Sequence, residues 1–384
     1  MKVKALILFL LSILFSQWAG EAQTKIVFQG QSEGQNFLVE QVAEGLGVPW
    51  ALVCLSPSDV LFTIRSGKIG ILHLPTGRIR FLSGGPRAVR DSGQGGMLDA
   101  AVPPDWTPGG WIYFTYSKQV GNGGATTLSR ARFRGDGFRN FRLTGWQDLL
   151  VTRSGSRKTV HYGSRLAFDD KGYIYMTVGD RGNRPNAQDL KNHAGKVLRL
   201  NRDGSPPADN PFREKAGALP EIYSYGHRNP QGIVFDPVHS KVWAIEHGPR
   251  GGDEINLILP GANYGWPVVS HGKEYWGPFQ VGEGTHKEGM AQPVKVYVPS
   301  IAPGSLLRYS GKAFPGWKGN LMSGALKLRH LNRVVLDDAG NAVAEERLLE
   351  ELEARIRGLA ESPEGWIYLS TDSGHIYRLR PDGS

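Results

Sequence analysis

Three short segments hold most of the residues able to do chemistry. His161 lies in His161-Tyr162-Gly163-Ser164-Arg165-Leu166. Imidazole exchanges its proton near neutral pH, so His161 could act as a general base. Asp180 follows in Gly179-Asp180-Arg181-Gly182-Asn183. It could orient that imidazole, bind a cation, or shape an Asp-Gly-type turn. The third segment, Glu246-His247-Gly248-Pro249-Arg250-Gly251-Gly252-Asp253-Glu254-Ile255-Asn256, is rich in oxygen. Hard cations such as calcium take about six to eight oxygens, backbone carbonyls included. Gly248 and Pro249 can offer carbonyls, while Asp253 and Glu254 add charge; the spacing is not that of an EF-hand.

A second set of residues asks for an anion. Arg228-Asn229-Pro230-Gln231-Gly232 places a cation and an amide beside a forced turn. Arg355 and Arg357 alternate on a predicted strand and so share a face. Two guanidiniums on one face repel unless an anion lies between them. Lys327, in Gly324-Ala325-Leu326-Lys327, can join them. Net charge is +9, yet there is no Lys/Arg run, so a small anionic molecule is a better partner than nucleic acid. No H-E-x-x-H spacing occurs, which disfavours a zinc hydrolase. The single Cys54 excludes an intramolecular disulfide, a thiolate zinc cluster and an iron–sulfur centre.

The elements that position these residues are read from a motif occurring six times. A turn of Gly, Asp or Pro leads into a short aromatic and β-branched run. The copies are Pro57-Ser58-Asp59-Val60-Leu61-Phe62, Gly109-Gly110-Trp111-Ile112-Tyr113-Phe114 and Asp170-Lys171-Gly172-Tyr173-Ile174-Tyr175-Met176. The others are Asp236-Pro237 leading to Val242-Trp243, Gly316-Trp317-Lys318-Gly319-Asn320-Leu321-Met322 and Pro363-Glu364-Gly365-Trp366-Ile367-Tyr368-Leu369. Each unit is a small meander that cannot cover its own apolar faces; radial stacking covers them. The expected fold is all-β: a six-bladed β-propeller with long functional loops. Roughly 60 residues per unit exceeds the compact propeller repeat of about 40–50, and the surplus falls in loops at 152–159, 183–193, 205–218 and 271–289. A helix is conceivable at 344–353, where an irregular strand connection is the alternative.

The first residues read as an address. Lys2 and Lys4 precede an apolar run over 5–15, and the small residues Ala19, Gly20 and Ala22 follow. This is the pattern of a secretory leader cut after Ala22 or Gly20. The expected organisation is a leader over 1–22 and one propeller catalytic domain over 23–384. The mature chain would be exported, periplasmic or secreted, without a membrane span.

The chain resembles the soluble PQQ-dependent aldose sugar dehydrogenases of the glucose/sorbosone dehydrogenase family, from about Gly45 to Leu379. The landmarks are Gly47-Val48-Pro49-Trp50-Ala51, Gly93-Gln94-Gly95-Gly96-Met97-Leu98-Asp99, and the His161 segment. Tyr225-Gly226-His227-Arg228-Asn229-Pro230-Gln231-Gly232, Glu246-His247-Gly248-Pro249, Asp253-Glu254-Ile255-Asn256 and Asn263-Tyr264-Gly265-Trp266-Pro267 complete them. The resemblance implies pyrroloquinoline quinone (PQQ) over the central channel. It makes His161 the base that takes the anomeric hydroxyl proton, with hydride passing from sugar C1 to quinone C5 to give a lactone. Asp180 would assist His161, and Arg228 would sit beside the C5 oxygen. Gln94, Asn229, Ser300, Lys327, Arg355 and Arg357 would contact the cofactor, together with His161 and Arg228. Gly248 and Pro249 would hold a calcium ion at the quinone; Glu254 and the Tyr264 carbonyl would hold a second, structural one. Ser300 stands where some relatives carry threonine. Aromatics that grip glucose in specialised relatives are absent, leaving only Tyr297 and implying broad aldose tolerance. An external electron acceptor, a cytochrome or a quinone, is required. A calcium-dependent lactonase or hydrolase, and a non-catalytic sugar- or protein-binding propeller, are the competing readings.

Overall fold

The computed structural model describes residues 24–135 and 137–383; the leader assigned to 1–22 lies outside them. Each of the six repeated motifs becomes the second strand of an antiparallel sheet. These strands are Asp59–Ile64, Trp111–Val120, Ile174–Val178, Lys241–Glu246, Leu321–Gly324 and Ile367–Thr371. The strand preceding each one is, in the same order, Pro49–Cys54, Met97–Ala101, Leu166–Phe168, Pro230–Asp236, Leu307–Arg308 and Ile356–Glu361. These first strands pack one against the next around a ring, and the last returns to the first. The result is a six-bladed propeller. The ring closes by mixing chain ends: Ile376–Pro381 pairs with Gln35–Ala43, which pairs with Lys25–Ser32, making the last blade five-stranded.

Side-chain alternation explains why blades stack. Along Asp59–Ile64, Val60, Phe62 and Ile64 pack toward the last blade, while Leu61 packs toward the second. Ile112, Phe114 and Tyr116 face the first blade, and Tyr113 faces the third. Period-two strands thus feed apolar residues to both neighbours, so each gap between blades is one hydrophobic cluster.

The segment 344–353 is not helical. Ala342–Leu348 is a strand paired with Leu331–Leu336, followed by a single 3-10 turn over Glu350–Leu352. Its glutamates suit a helix by propensity, but Arg333 bonds Glu346 at 2.7 Å and Lys295 pairs with Glu345 at 2.6 Å. Cross-strand partners outweighed the local preference.

The axis is plugged by Arg165, 6% exposed. Its Nη1 donates to Asp99 (3.0 Å), its Nε to the Gln231 carbonyl (2.9 Å), and its Nη2 to the Arg357 (2.9 Å) and Gly304 carbonyls. The guanidinium also lies 3.8 Å over the Trp50 ring. One side chain therefore touches the other five blades or their entering loops. No helix among the described residues is long and apolar enough to cross a membrane.

Candidate active site

In an antiparallel blade, the entrance of the first strand and the exit of the second lie at the same edge. A cavity of roughly 200 Å³ opens on that edge and draws residues from all six blades. Blade one supplies Trp50 and Arg65, blade two Gln94, and the third blade Tyr162 and Gly163. Asn229 and His247, Ala302 and Leu326, then Arg355, Arg357 and Asp372 complete the ring.

His161 enters the third blade just before Tyr162 and Gly163, which line the cavity. Its Nδ1 lies 2.7 Å from Asp180 Oδ1, and its backbone N–H donates to Gln94 Oε1 at 2.8 Å. The approach is made possible by Gly179, where a Cβ would stand 2.4 Å from the His161 carbonyl. Asp180 is fully buried. Its Oδ1 also accepts from the Gly182 N–H (2.6 Å), and its Oδ2 accepts from the Trp266 indole (2.8 Å). Because the carboxylate accepts at Nδ1, that nitrogen carries the ring proton and Nε2 keeps its lone pair. Burial holds the imidazole below its ordinary 6.5; Arg228 pushes the same way and Asp180 opposes. Burial alone would raise the Asp180 carboxyl, but His161, Gly182 and Trp266 hold it below its usual 3.8. A neutral imidazole beside an ionised aspartate is the outcome at neutral pH. His161, Ser164, Arg181 and Ala302 all have positive φ, from 53° to 89°. Such strain costs about 1–3 kcal/mol per residue and clusters at sites that need a fixed geometry.

Arg355 and Arg357 do share a face, and the anion between them belongs to the protein. Asp372, at the exit of the last blade's second strand, accepts from Arg355 Nε and from Arg357 Nε and Nη2, each at 2.9 Å. Arg65, a third guanidinium on the cavity wall, has no carboxylate partner among the described residues. Three guanidiniums against one carboxylate leave the cavity cationic. Lys327 follows the cavity-lining Leu326 and is exposed.

A narrow cleft adjoins the cavity and shares His247 with it. Arg228, Gly248, Pro249, Glu254, Tyr264 and Trp266 line it. Arg228 is 8% exposed; its Nη1 donates to the His247 carbonyl at 3.1 Å, while its Nε is buried without a partner among the described residues. Gly248 must be glycine, since a Cβ would meet the Gly252 carbonyl oxygen at 2.1 Å. Asp253 is not free for a cation: it accepts from the Gly248 (2.9 Å) and Ala302 (2.7 Å) N–H groups, and the Ser300 hydroxyl bonds it. Ser300 is therefore tied to the loop carrying Gly248. Glu254 has no cationic partner among the described residues. Burial and the neighbouring Glu246 push its carboxyl up to about 8. Asn256 Nδ2 reaches both glutamates (3.2 and 3.3 Å), while its buried Oδ1 has no donor among the described residues. Tyr264 spends its hydroxyl on the Leu257 carbonyl and stacks on His227 at 4.5 Å. No group of three or more His, Cys, Asp or Glu among the described residues could hold a metal ion; a cation in this cleft would depend mostly on carbonyl oxygens.

Tyr297 does not face the site. It is 4% exposed, with its hydroxyl on Asn332 Oδ1 at 2.7 Å. The strand Lys295–Tyr297 turns its ring into the gap between blades. Sequence reasoning also missed Arg65, Asp372 and Trp266. The signal for the first two was positional: each follows the end of a blade's second strand.

The sequence profile of the Glucose / Sorbosone dehydrogenase family matches residues 46–378. The chain is 38% identical over 351 residues to the aldose sugar dehydrogenase YliI of Escherichia coli, covering 89% of this chain and 92% of that protein. The apo-form crystal structure of the soluble aldose sugar dehydrogenase from Escherichia coli superposes with a TM-score of 0.83 at 35% identity, covering 90% and 100%. The PQQ-bound aldose sugar dehydrogenase from Streptomyces coelicolor gives a TM-score of 0.72 at 26% identity, covering 90% and 98%. These solved structures share the fold of this chain over about nine-tenths of its length. The chain belongs to the glucose/sorbosone dehydrogenase family.

Proposed function

We propose that this protein is a PQQ-dependent dehydrogenase that oxidises aldose sugars at C1 to the lactone. The observation that carries this reading is His161, neutral and held by the buried Asp180, next to a cavity walled by guanidiniums. The donor set fits the cofactor: Arg65, Arg355, Arg357 and Lys327 suit its carboxylates, and the unpartnered Arg228 Nε is a donor waiting for an acceptor. Gln94 and Asn229 add amides, with Ser300 beside them. When bound, PQQ would supply a two-electron acceptor for the hydride that leaves the sugar C1.

The chain's own residues do the rest. Nε2 of His161 takes the anomeric hydroxyl proton as the C1–H bond breaks, a step of the kind that contributes about 10²–10⁴-fold. Asp180 stabilises the imidazolium formed. Arg228 places positive charge where negative charge develops, in a site too buried for water to screen it. A calcium ion on the Gly248 and Pro249 carbonyls would add Lewis-acid polarisation. A second, on Glu254 and the Tyr264 carbonyl, would compensate a carboxylate that now has no cation. Residues 1–22 act as the export leader of a catalytic unit spanning 23–384, which N-terminal sequencing of the exported protein tests.

The direct test is reconstitution of the purified protein with PQQ and calcium, followed by dye reduction with several aldoses. Aldose-dependent reduction is expected. The His161→Ala variant should bind the quinone yet turn over at least about 10²-fold more slowly. Absence of reduction with every aldose refutes the proposal.

A further inference from the structure

The sequence carries its net charge of +9 without a Lys/Arg run, yet folding gathers much of it at one corner. Six arginines come from two adjoining hairpins. Arg78 and Arg80 lie on Arg78–Phe81, the outer strand of the first blade, which pairs with Lys68–His73. Arg132 and Arg134 end the strand Gly123–Arg134 of the second blade, and Arg142 begins its partner Arg142–Val151. Arg139 lies in the turn between them. The two hairpins touch: Arg80 Nη1 donates to the Phe138 carbonyl at 3.0 Å, and the His73 and Phe138 rings stand 5.4 Å apart. Arg78, Arg134, Arg139 and Arg142 are exposed.

This charge is left uncompensated. Arg134 and Arg142 are direct cross-strand partners, so their side chains share a face. Like charges placed opposite each other destabilise a sheet. None of the six forms an ion pair with a carboxylate among the described residues. Arg80, Arg132 and Arg142 reach the Phe138, Gly109 and Asn140 carbonyls instead, and Arg132 also lies 4.3 Å over the Trp111 ring. Asp136, outside the described residues, subtracts a single charge from the same turn. Nothing in the fold calls for such a cluster, whereas an external polyanion does.

The corner lies away from the cavity. The second strand of each blade ends at the cavity edge, so the third begins there and runs to the opposite edge, where Arg134 stands. A partner held at that edge leaves the cavity open to small molecules. An electron acceptor, which must reach the quinone, gains no access by docking there. The arginines are spread over two turns from two blades, so together they can meet many anions arrayed in a plane. Guanidinium forks match phosphate oxygens in pairs.

We propose that this arginine corner docks the protein on a membrane surface rich in anionic phospholipid, with the cavity turned toward solution. The proposal does not depend on the reaction catalysed. Its test is cosedimentation of the purified protein with vesicles of phosphatidylcholine, alone or with about one-third phosphatidylglycerol. Binding is expected to the anionic vesicles only, and it should vanish at about 1 M salt, where charges are screened beyond about 3 Å. Each arginine near such a surface contributes about fivefold, so Arg134→Gln/Arg139→Gln/Arg142→Gln should weaken binding about 10²-fold. Lys171→Gln/Arg213→Gln/Lys312→Gln removes the same charge from exposed positions on other blades and should change binding less than about threefold. The unfolding midpoint of the arginine variant should hold or rise, because a repulsion is relieved; a clear fall would give these side chains a structural role and overturn the proposal. Equal binding to neutral vesicles, no binding to either kind, or an equal loss in both triple variants also overturns it. So does retention on immobilised polyglutamate without vesicle binding, which would make the corner a docking site for an acidic protein.

Discussion

Replacing Asp180 by asparagine tests the central pair with almost no change in shape. In the native site Oδ1 accepts two hydrogen bonds, from His161 Nδ1 and the Gly182 N–H, while Oδ2 accepts one from Trp266. Asparagine offers one acceptor oxygen only. Keeping that oxygen toward His161 turns the amide against the indole N–H, two donors face to face in a buried place. Such an orphaned donor costs about 1–3 kcal/mol. The larger effect is electrostatic. The imidazolium formed during proton abstraction loses its carboxylate, so kcat should fall by about 10²–10⁴-fold, the span attributed to general base catalysis. The sign of the pH effect follows from the charges. Asp180 raises the imidazole value, against burial, which lowers it. Removing the carboxylate therefore lowers it further, and the acidic limb of the rate profile should move to lower pH. The wild-type limb itself should lie below the ordinary 6.5. Pre-steady-state reduction of the bound cofactor by sugar, followed from pH 4 to 9 (about the span that covers both limbs), reads both quantities. A kcat within about threefold of wild type, or a limb displaced upward, would refute the assigned geometry.

Other expectations follow from the same geometry. The Arg355→Ala/Arg357→Ala variant loses two charge-assisted contacts of about 1.5–3 kcal/mol each, so PQQ affinity should weaken at least about 10²-fold in an absorbance titration; a lactonase would barely notice. Calcium should stabilise the wild type by about 2.7 kcal/mol at a concentration 100 times its Kd, and so raise its unfolding midpoint. Glu254→Gln should abolish most of that gain, as scanning calorimetry would show. Arg165→Met strands Asp99 at the axis without its cation and should cost about 3–5 kcal/mol in urea unfolding, partly recovered by adding Asp99→Asn. A loss under about 1 kcal/mol would mean that the axial pair does not hold the blades together. Acid should weaken the fold through Asp180 and Asp372. Burial raises both carboxyls, but His161, Gly182 and Trp266 around Asp180, and Arg357 and Arg355 around Asp372, hold them below 3.8. Their contribution is complete above 3.8 and is lost as pH falls through their lower folded values.

The strand pattern was legible because it is local. Every turn-plus-aromatic motif fell on the second strand of a blade, since alternation along a strand must serve two neighbouring blades. The types and order of His161, Asp180, Arg228, Arg355 and Arg357 were also visible. Their partners were not. Asp372 is 17 and 15 positions from the two arginines, and only the pairing of the last blade's first two strands put it between them. Trp266 revealed nothing of its hold on Asp180, 86 positions away. Glutamates over 344–353 suggested helix because propensity is read along the chain, whereas Arg333 and Lys295 act across it.

By itself, the sequence determined what each blade would be and which side chains were available at blade edges. Only the closed ring decided which of them meet. Hydrogen bonds and ion pairs extend about 3 Å, and residues far apart in the chain come within that reach only when all six sheets have packed around one axis.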